Sequence, residues 1–222
     1  MEEMLILLKP DGIIRRYSGA RALKSILELN PDVNFFGIIK FSGADEPEKS
    51  FLSEKHYGEH KGKFFYENLV NFMSATELGV IIVAGENITE RVRNLLGKTM
   101  CEKADPISIR GRYGTTKGIN LVHASDSKET GAREVALWRE ILKIDANKDY
   151  AAEMMNYIKR YENFPMIDSA RYREISKDLS EGKINKETAE KLLLELLLKE
   201  TDFDKEKIKN VPKLIIENIL LG

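Results

Sequence analysis

Gly79-Val80-Ile81-Ile82-Val83-Ala84-Gly85 is an uncharged, β-branched run bracketed by glycines, and it reads as a strand. Asn87-Ile88-Thr89-Glu90 follows at once, a capping-type residue with glutamate three positions on, which starts a helix. Upstream, residues 4–8 are a short apolar run ending at Lys9-Pro10-Asp11-Gly12, a turn signal, so they read as a buried first strand. Residues 18–29 carry Ala22, Leu23, Ile26, Leu27 and Leu29 at helical spacing, and Asn30-Pro31-Asp32 stops them. Residues 33–41 form a second strand by their apolar, β-branched and aromatic content, with helical segments near residues 48–55 and 61–74. Downstream, residues 97–118 are irregular, and loops of such length inside a compact domain are usually functional. A fourth strand, residues 119–122, reaches His123, and Ser127 opens a helix through Trp138. Strands and helices alternate, with paired helices in the middle. That order predicts an α/β ferredoxin-like sandwich: a four-stranded antiparallel sheet with helices on one face.

The character changes beyond residue 144, dividing the chain into a first domain, 1–144, and an all-α C-terminal extension, 145–222. Residues 150–161 form an amphipathic helix that Glu162-Asn163-Phe164-Pro165 breaks; residues 187–199 and 211–221 form two more. Leu192, Leu193, Leu194, Leu196, Leu197 and Leu198 cannot share one stripe, so their helix must be covered on more than one side.

Lys and Arg total 35 against 36 Asp and Glu, a net charge of −1. No overall field draws such a chain to nucleic acid or an anionic membrane, so an anionic ligand needs a local cationic cluster. Cys101 is the single cysteine, which rules out an intramolecular disulfide and fits a reducing compartment. Glu2, Glu3 and Lys9 interrupt the start as a signal peptide, and the leucine run is too short to span a bilayer. A soluble, cytoplasmic protein is expected, with neither membrane nor specific nucleic acid as partner.

Asn120-Leu121-Val122-His123-Ala124-Ser125-Asp126-Ser127 places a histidine at the end of an apolar run, with hydroxyls and a carboxylate behind it. Neutral imidazole is basic enough to attack phosphorus, so His123 is a candidate nucleophile. Alone, the segment serves equally as a strand end with a satisfied histidine. Gly111-Arg112-Tyr113-Gly114 lacks the spacing and the lysine of a phosphate-binding P-loop. His56 and His60 lie four apart with no further ligand pattern, and no metal centre is expected from them.

Lys9-Pro10-Asp11-Gly12, His56-Tyr57, Glu59-His60-Lys61, Gly85-Glu86-Asn87, Ile109-Arg110-Gly111, the 120–127 segment and Arg133-Glu134-x-Ala136-Leu137-Trp138 occur together in one order. From residue 4 to residue 138 this conjunction resembles the nucleoside diphosphate kinase family. The resemblance implies transfer of the terminal phosphoryl of a nucleoside triphosphate to a diphosphate, through a phosphohistidine, with magnesium. It makes His123 the nucleophile, Glu134 the partner of its other ring nitrogen, and Ser125 an aid to the leaving phosphate oxygen. Lys9 and Asn120 would meet phosphate and ribose hydroxyls, Tyr57 the transferred phosphoryl, and Arg93, Thr99 and Arg110 the outer phosphates. Phe65, with Leu69 one turn on, would stack the base, and stacking reads a π-face, so base selectivity should be broad. Mg2+ would be bound mainly through the nucleotide phosphates. The implied partners are ATP and other nucleoside di- and triphosphates, and a homo-oligomer that the 100–107 loop helps to build. Arg15, Arg16, Arg91 and Arg112 receive no role and read as surface charges.

The chain departs from the family pattern at several positions. Ala124 stands where glycine is usual and could crowd a strained turn. Gly131 weakens the helix that carries Glu134. Lys117 stands where a small apolar residue covers the base, Ile119 replaces an arginine, Phe64 replaces a proline, and the 100–107 loop lacks its usual proline. The extension is expected to pack on the first domain or support self-association, and removing residues 149–222 to spare phosphotransfer. Two other function classes fit the same fold: a binding or regulatory protein, and a protein-histidine phosphotransferase.

Overall fold

The computed structural model describes residues 1–41 and 47–221. Four strands, β1 (Glu2–Leu8), β2 (Asp32–Lys40), β3 (Glu77–Gly85) and β4 (Val122–Ala124), form one antiparallel sheet in the order β2-β3-β1-β4. The ferredoxin-like sandwich is therefore present, with one revision. Met4 to Leu8 of β1, and Leu78 with Val80 to Val83 of β3, are wholly buried. Successive side chains point to opposite faces, so both faces of the central strands are covered.

The first part of the chain adds α1 (Pro10–Ile14), α2 (Arg16–Leu27), α3 (Pro47–Ser50), α4 (Tyr66–Met73), α5 (Ile88–Leu96), α6 (Ile109–Tyr113) and α7 (Lys128–Arg139). A π-helical turn, Phe51–His56, and a 3-10 turn, Gly58–His60, join α3 to α4. Two local expectations change. Asn87 adopts a left-handed backbone, φ 49°, and makes no side-chain cap to α5; the Thr89 amide instead donates to Glu2 Oε2 at 3.4 Å. Ser127 does cap α7, accepting from the Thr130 amide at 3.1 Å.

Gly131 has a positive use that its helix propensity hides. A Cβ built there would lie 2.6 Å from the Glu3 carbonyl oxygen and 3.4 Å from Met4 Cα. Glycine lets α7 approach β1 closely, and α7 is the helix that carries Glu134.

The extension folds as α8 (Tyr150–Tyr161), α9 (Ser169–Ser180), α10 (Lys186–Lys199), α11 (Lys205–Ile208) and α12 (Val211–Leu220). Helix α9 is an addition to the sequence expectation. Its charge density masks an inner face of Tyr172, Ile175, Ser176 and Leu179, all buried at i, i+3, i+4, i+7 spacing behind an Asp168 cap. Helix α8 packs on α2 and β2, with Tyr150 and Tyr157 rings 5.1 and 5.7 Å from those of Phe35 and Phe36. Helix α10 meets both α9 and α12; Ala189, Leu193 and Leu197 are fully buried and Leu194, Leu196 and Leu198 half-buried. Helix α12 also packs on α4. Strands and C-terminal helices share one hydrophobic cluster. No helix among the described residues is long and apolar enough to cross a membrane.

Arg15 and Arg16 are not surface charges. Arg15 is fully buried, pairing with Glu200 at 2.9 Å and donating to the Tyr113 carbonyl and to Ser169 Oγ. Arg16 is buried against the Tyr161 and Phe203 rings and bonded to Asp202 at 2.6 Å. Their charged partners, Glu200 and Asp202, lie far along the sequence, in the extension, so residue spacing could not expose them.

Candidate active site

The turn before His123 is held by the segment that follows β1, Lys9 and the first residues of α1. Leu121 has φ 69°, a left-handed conformation that an L side chain rarely adopts and that costs roughly 1–3 kcal/mol. Three groups hold it. The Lys9 amide donates to the Leu121 carbonyl at 2.8 Å, and the Leu121 amide donates to Asp11 Oδ2 at 2.9 Å. Gly12 supplies room, since a Cβ there would come within 2.9 Å of the Leu121 oxygen. The expected strand over residues 119–122 is interrupted for this reason, and β4 begins only at Val122. Ala124 lies beyond the kink, in the ladder opposite Ile6 and with no positive φ, so its methyl does not sit in the strained turn.

Around the imidazole, His123 Nε2 lies 3.3 Å from Glu134 Oε2. Ser125 is wholly buried; its hydroxyl donates to the same Glu134 oxygen at 2.6 Å and accepts from the Leu5 amide at 3.1 Å. Ser125 thus stands behind Glu134 and positions it, rather than reaching a leaving oxygen. Burial pushes the Glu134 carboxyl upward, but hydrogen bonds from His123 and Ser125 outweigh it and leave the group below the usual range. The glutamate is held as an anion.

His56 is a neighbour to which the sequence reading, though it quotes the residue, gives no role in the site. Its ring centroid lies 5.2 Å from that of His123, and its Nδ1 accepts from the Trp138 indole at 3.2 Å. Burial, with His123 nearby, pushes its pKa down to about 3. The neutral ring therefore carries its proton on Nε2, which is buried without a protein partner. His56, His123 and Glu134 are close enough to share a metal ion among the described residues. The indole donation argues against it, because a ring that accepts at Nδ1 has no lone pair left on Nε2. The adjacency of His56 to Tyr57 was the available signal.

Lys9, Arg110 and Asn120 form a second, cationic wall. Lys9 Nζ donates to the Gly118 carbonyl at 3.0 Å, and burial, assisted by Arg110, lowers its pKa to about 8. Arg110 donates to the carbonyls of Gly97 and Val122 at 2.9 and 2.8 Å, which ties it to the residue before His123. Burial, with Arg93 contributing, lowers its pKa to about 10. Asn120 Nδ2 donates to the Thr99 carbonyl at 2.7 Å. Three more polar atoms here are buried without a protein partner: Asp11 Oδ1, Arg110 Nε and Asn120 Oδ1. Buried orphan groups are uncommon, and their concentration around one histidine marks a ligand site.

Of the remaining expected residues, Arg93 is half-exposed and paired with Asp126, and Thr99 is exposed, engaged through its carbonyl. Tyr57 is buried 4.5 Å from the His56 ring, and burial raises its phenol well above its usual range. Ring centroids then step from Tyr57 to His60 at 6.3 Å and from His60 to Phe65 at 5.6 Å. Phe65 and Leu69, both half-buried at the start of α4, are thus linked to Tyr57 through the His60 ring. Arg91 and Arg112 are exposed, as expected.

A family model described as nucleoside diphosphate kinase matches residues 2–143. A nucleoside diphosphate kinase of Staphylococcus carnosus is 38% identical over 140 residues, 63% of this chain and 88% of that protein. One from Methanocaldococcus jannaschii is 39% identical over 138 residues, 62% of this chain and 92% of that protein. Among solved structures, the Aquifex aeolicus nucleoside diphosphate kinase superposes with a TM-score of 0.56 at 32% identity, covering 65% of this chain and 99% of that one. A nucleoside diphosphate kinase family protein from Babesia bovis gives 0.56 at 31%, covering 69% and 99%.

Proposed function

Because the chain belongs to the nucleoside diphosphate kinase family, a family of phosphotransferases, we propose that it works by two half-reactions through His123. The observation that carries this reading is the contact between His123 Nε2 and the Glu134 carboxylate, which leaves Nδ1 as the ring's free lone pair. Nδ1 attacks the γ-phosphorus of a nucleoside triphosphate. An N–P bond forms as the bond to the β-phosphate oxygen breaks, and the diphosphate departs with that electron pair. The ring, still protonated on Nε2, becomes cationic, and the Glu134 anion faces that charge. A second diphosphate then reverses the step and restores the lone pair.

Most of the barrier reduction in phosphoryl transfer comes from positioned charge. Lys9 and Arg110 supply it from the wall behind His123, with Arg93 toward the outer phosphates once it leaves Asp126. Tyr57 and Asn120 would position the transferred phosphoryl and the ribose. This wall offers ammonium and guanidinium groups and no cage of oxygens, so Mg2+ would be held by the phosphates and water and would neutralise phosphate charge. Phe65, with Leu69, is the stacking surface for the base, which favours broad nucleotide use. We further propose a cytoplasmic homo-oligomer; Ile107, 79% exposed on the 100–107 loop, supports self-association, and sedimentation velocity measures it.

Incubation with ATP labelled at the γ-position tests the reading. An acid-labile label on His123 that nucleoside diphosphates remove is the expected result, and a His123→Ala chain should neither take label nor turn over. A label discharged only by another protein would favour a protein-histidine phosphotransferase. No label on the unmodified chain would favour a binding protein.

A further inference from the structure

We propose that helix α9 of the extension is a working part of the site, with Arg173 as a positioning residue that fixes the phosphate-binding loop. The inference rests on the reading of Arg110 and its neighbours as phosphate ligands.

The loop's α-helical turn, α6, has five residues, fewer than an isolated helix needs to be stable, so contacts from outside the helix hold it. The carbonyls at its C-terminal end converge on one group from the extension. Arg173 Nη2 donates to the oxygens of Gly111 at 2.7 Å, Gly114 at 2.9 Å and Arg110 at 3.3 Å. A guanidinium at a helix C-terminus satisfies unpaired carbonyls and complements the negative end of the helix dipole. Arg110, whose own carbonyl is among those three, is the residue whose guanidinium reaches Val122 beside the nucleophile.

The grip continues along the loop. One turn past Arg173, Ser176 Oγ lies 2.8 Å from Thr116 Oγ1, and that contact is buried. Glu102 accepts from Thr116 Oγ1 at 3.0 Å and from the Lys117 amide at 2.9 Å. Lys117, at φ 46°, donates its ammonium to the Ile219 carbonyl at the end of α12. Arg15, held by Glu200 and Ser169, closes on the Tyr113 carbonyl and on Thr115 Oγ1. Tyr113 through Lys117 are therefore tied, directly or through Arg15, to helices absent from the matched family region, which ends at residue 143. On this proposal, removing residues 149–222 would impair phosphotransfer, where the sequence alone led us to expect it spared.

The test uses the full chain with Arg173→Ala and Arg173→Lys, followed by nucleotide steady-state kinetics, thermal melting and amide exchange. Displacing positioning groups by about 1 Å is worth on the order of 100-fold in rate. We therefore expect Arg173→Ala to lower kcat/KM by roughly 10- to 100-fold. Millimolar guanidinium should recover part of the loss, and Arg173→Lys should fall between the two. Exchange should quicken at residues 109–118 while β1 and β3 keep their protection. Unchanged kcat/KM and unchanged loop exchange in a folded Arg173→Ala chain would overturn the proposal. So would a loss that merely follows global unfolding and that guanidinium does not restore. An unmodified chain with no turnover would refute the kinase reading separately, and exchange at 109–118 would still decide whether Arg173 holds the loop.

Discussion

Lys9 is buried among one carboxylate and one guanidinium, and its ammonium is held near a pKa of about 8 by desolvation. Two consequences follow, with opposite signs. For folding, the ammonium is disfavoured inside, so the folded chain binds fewer protons than the unfolded one between about 8 and the ordinary 10.5. Lys9 therefore opposes folding most below about pH 8, and that penalty fades as pH rises through the window. For catalysis, phosphate needs the charged form. We expect kcat/KM to fall on the alkaline side with an apparent pKa near 8, and Lys9→Arg to remove that limb from the accessible range. A pH–rate profile of both chains checks it; an identical alkaline limb in the variant would exclude Lys9 as its source. His56 gives the acid counterpart. Its folded pKa of about 3 lies below the ordinary 6.5, so each pH unit lost between these values removes up to about 1.4 kcal/mol of stability. Urea melts of a His56→Gln chain should lose that part of the acid dependence. Lys9 and His123 were legible because their neighbours in sequence carry the chemistry with them. Asp11 and His56 were not, since each acts through a contact made only by folding: Asp11 with the Leu121 amide, His56 with Trp138 and His123.

Helix α7 shows how an element converts packing into geometry. It lies on β1 at a distance set by Gly131, and this distance places Glu134 against His123 and Ser125. On propensity alone Gly131→Ala should favour the helix by about 1 kcal/mol. The built contact of 2.6 Å to the Glu3 carbonyl, which is backbone and cannot swing aside, reverses the sign. We expect a net loss of about 1–3 kcal/mol in urea denaturation, with kcat reduced because Glu134 moves with the helix. A stabilised, fully active Gly131→Ala chain would refute that account. The central strands were readable because burial on both faces leaves an unbroken apolar run, as in β3. Helix α9 was unreadable for the converse reason. Only five of its twelve positions are buried, two of them serines, and the charges between them resemble a solvated loop.

At the scale of the molecule, the extension is joined to the junction of α1 and α2 by an ion pair with no exposure at either partner, Arg15–Glu200. Tyr172 OH and the Ile167 amide also donate to the Glu200 carboxylate, so both of its oxygens are engaged. An apolar pair of equal volume in such a place is often as stable as the ion pair, whereas removing one partner leaves a buried charge. Glu200→Gln should therefore cost about 3–5 kcal/mol, and Arg15→Met combined with Glu200→Met should cost much less than the two single changes added. The position of the pair also bears on how the chain unfolds. The boundary near residue 144 divides the sequence by character, but one hydrophobic cluster runs from β1 and β3 through α8, α9, α10 and α12. Residues that bury each other's surface should lose it together. Calorimetry of the full chain should thus give a single transition whose midpoint falls in Glu200→Gln, with the calorimetric enthalpy equal to the van't Hoff value. Two transitions, with only the one belonging to the extension displaced by the substitution, would mean that the helices and the sheet are separate cooperative units.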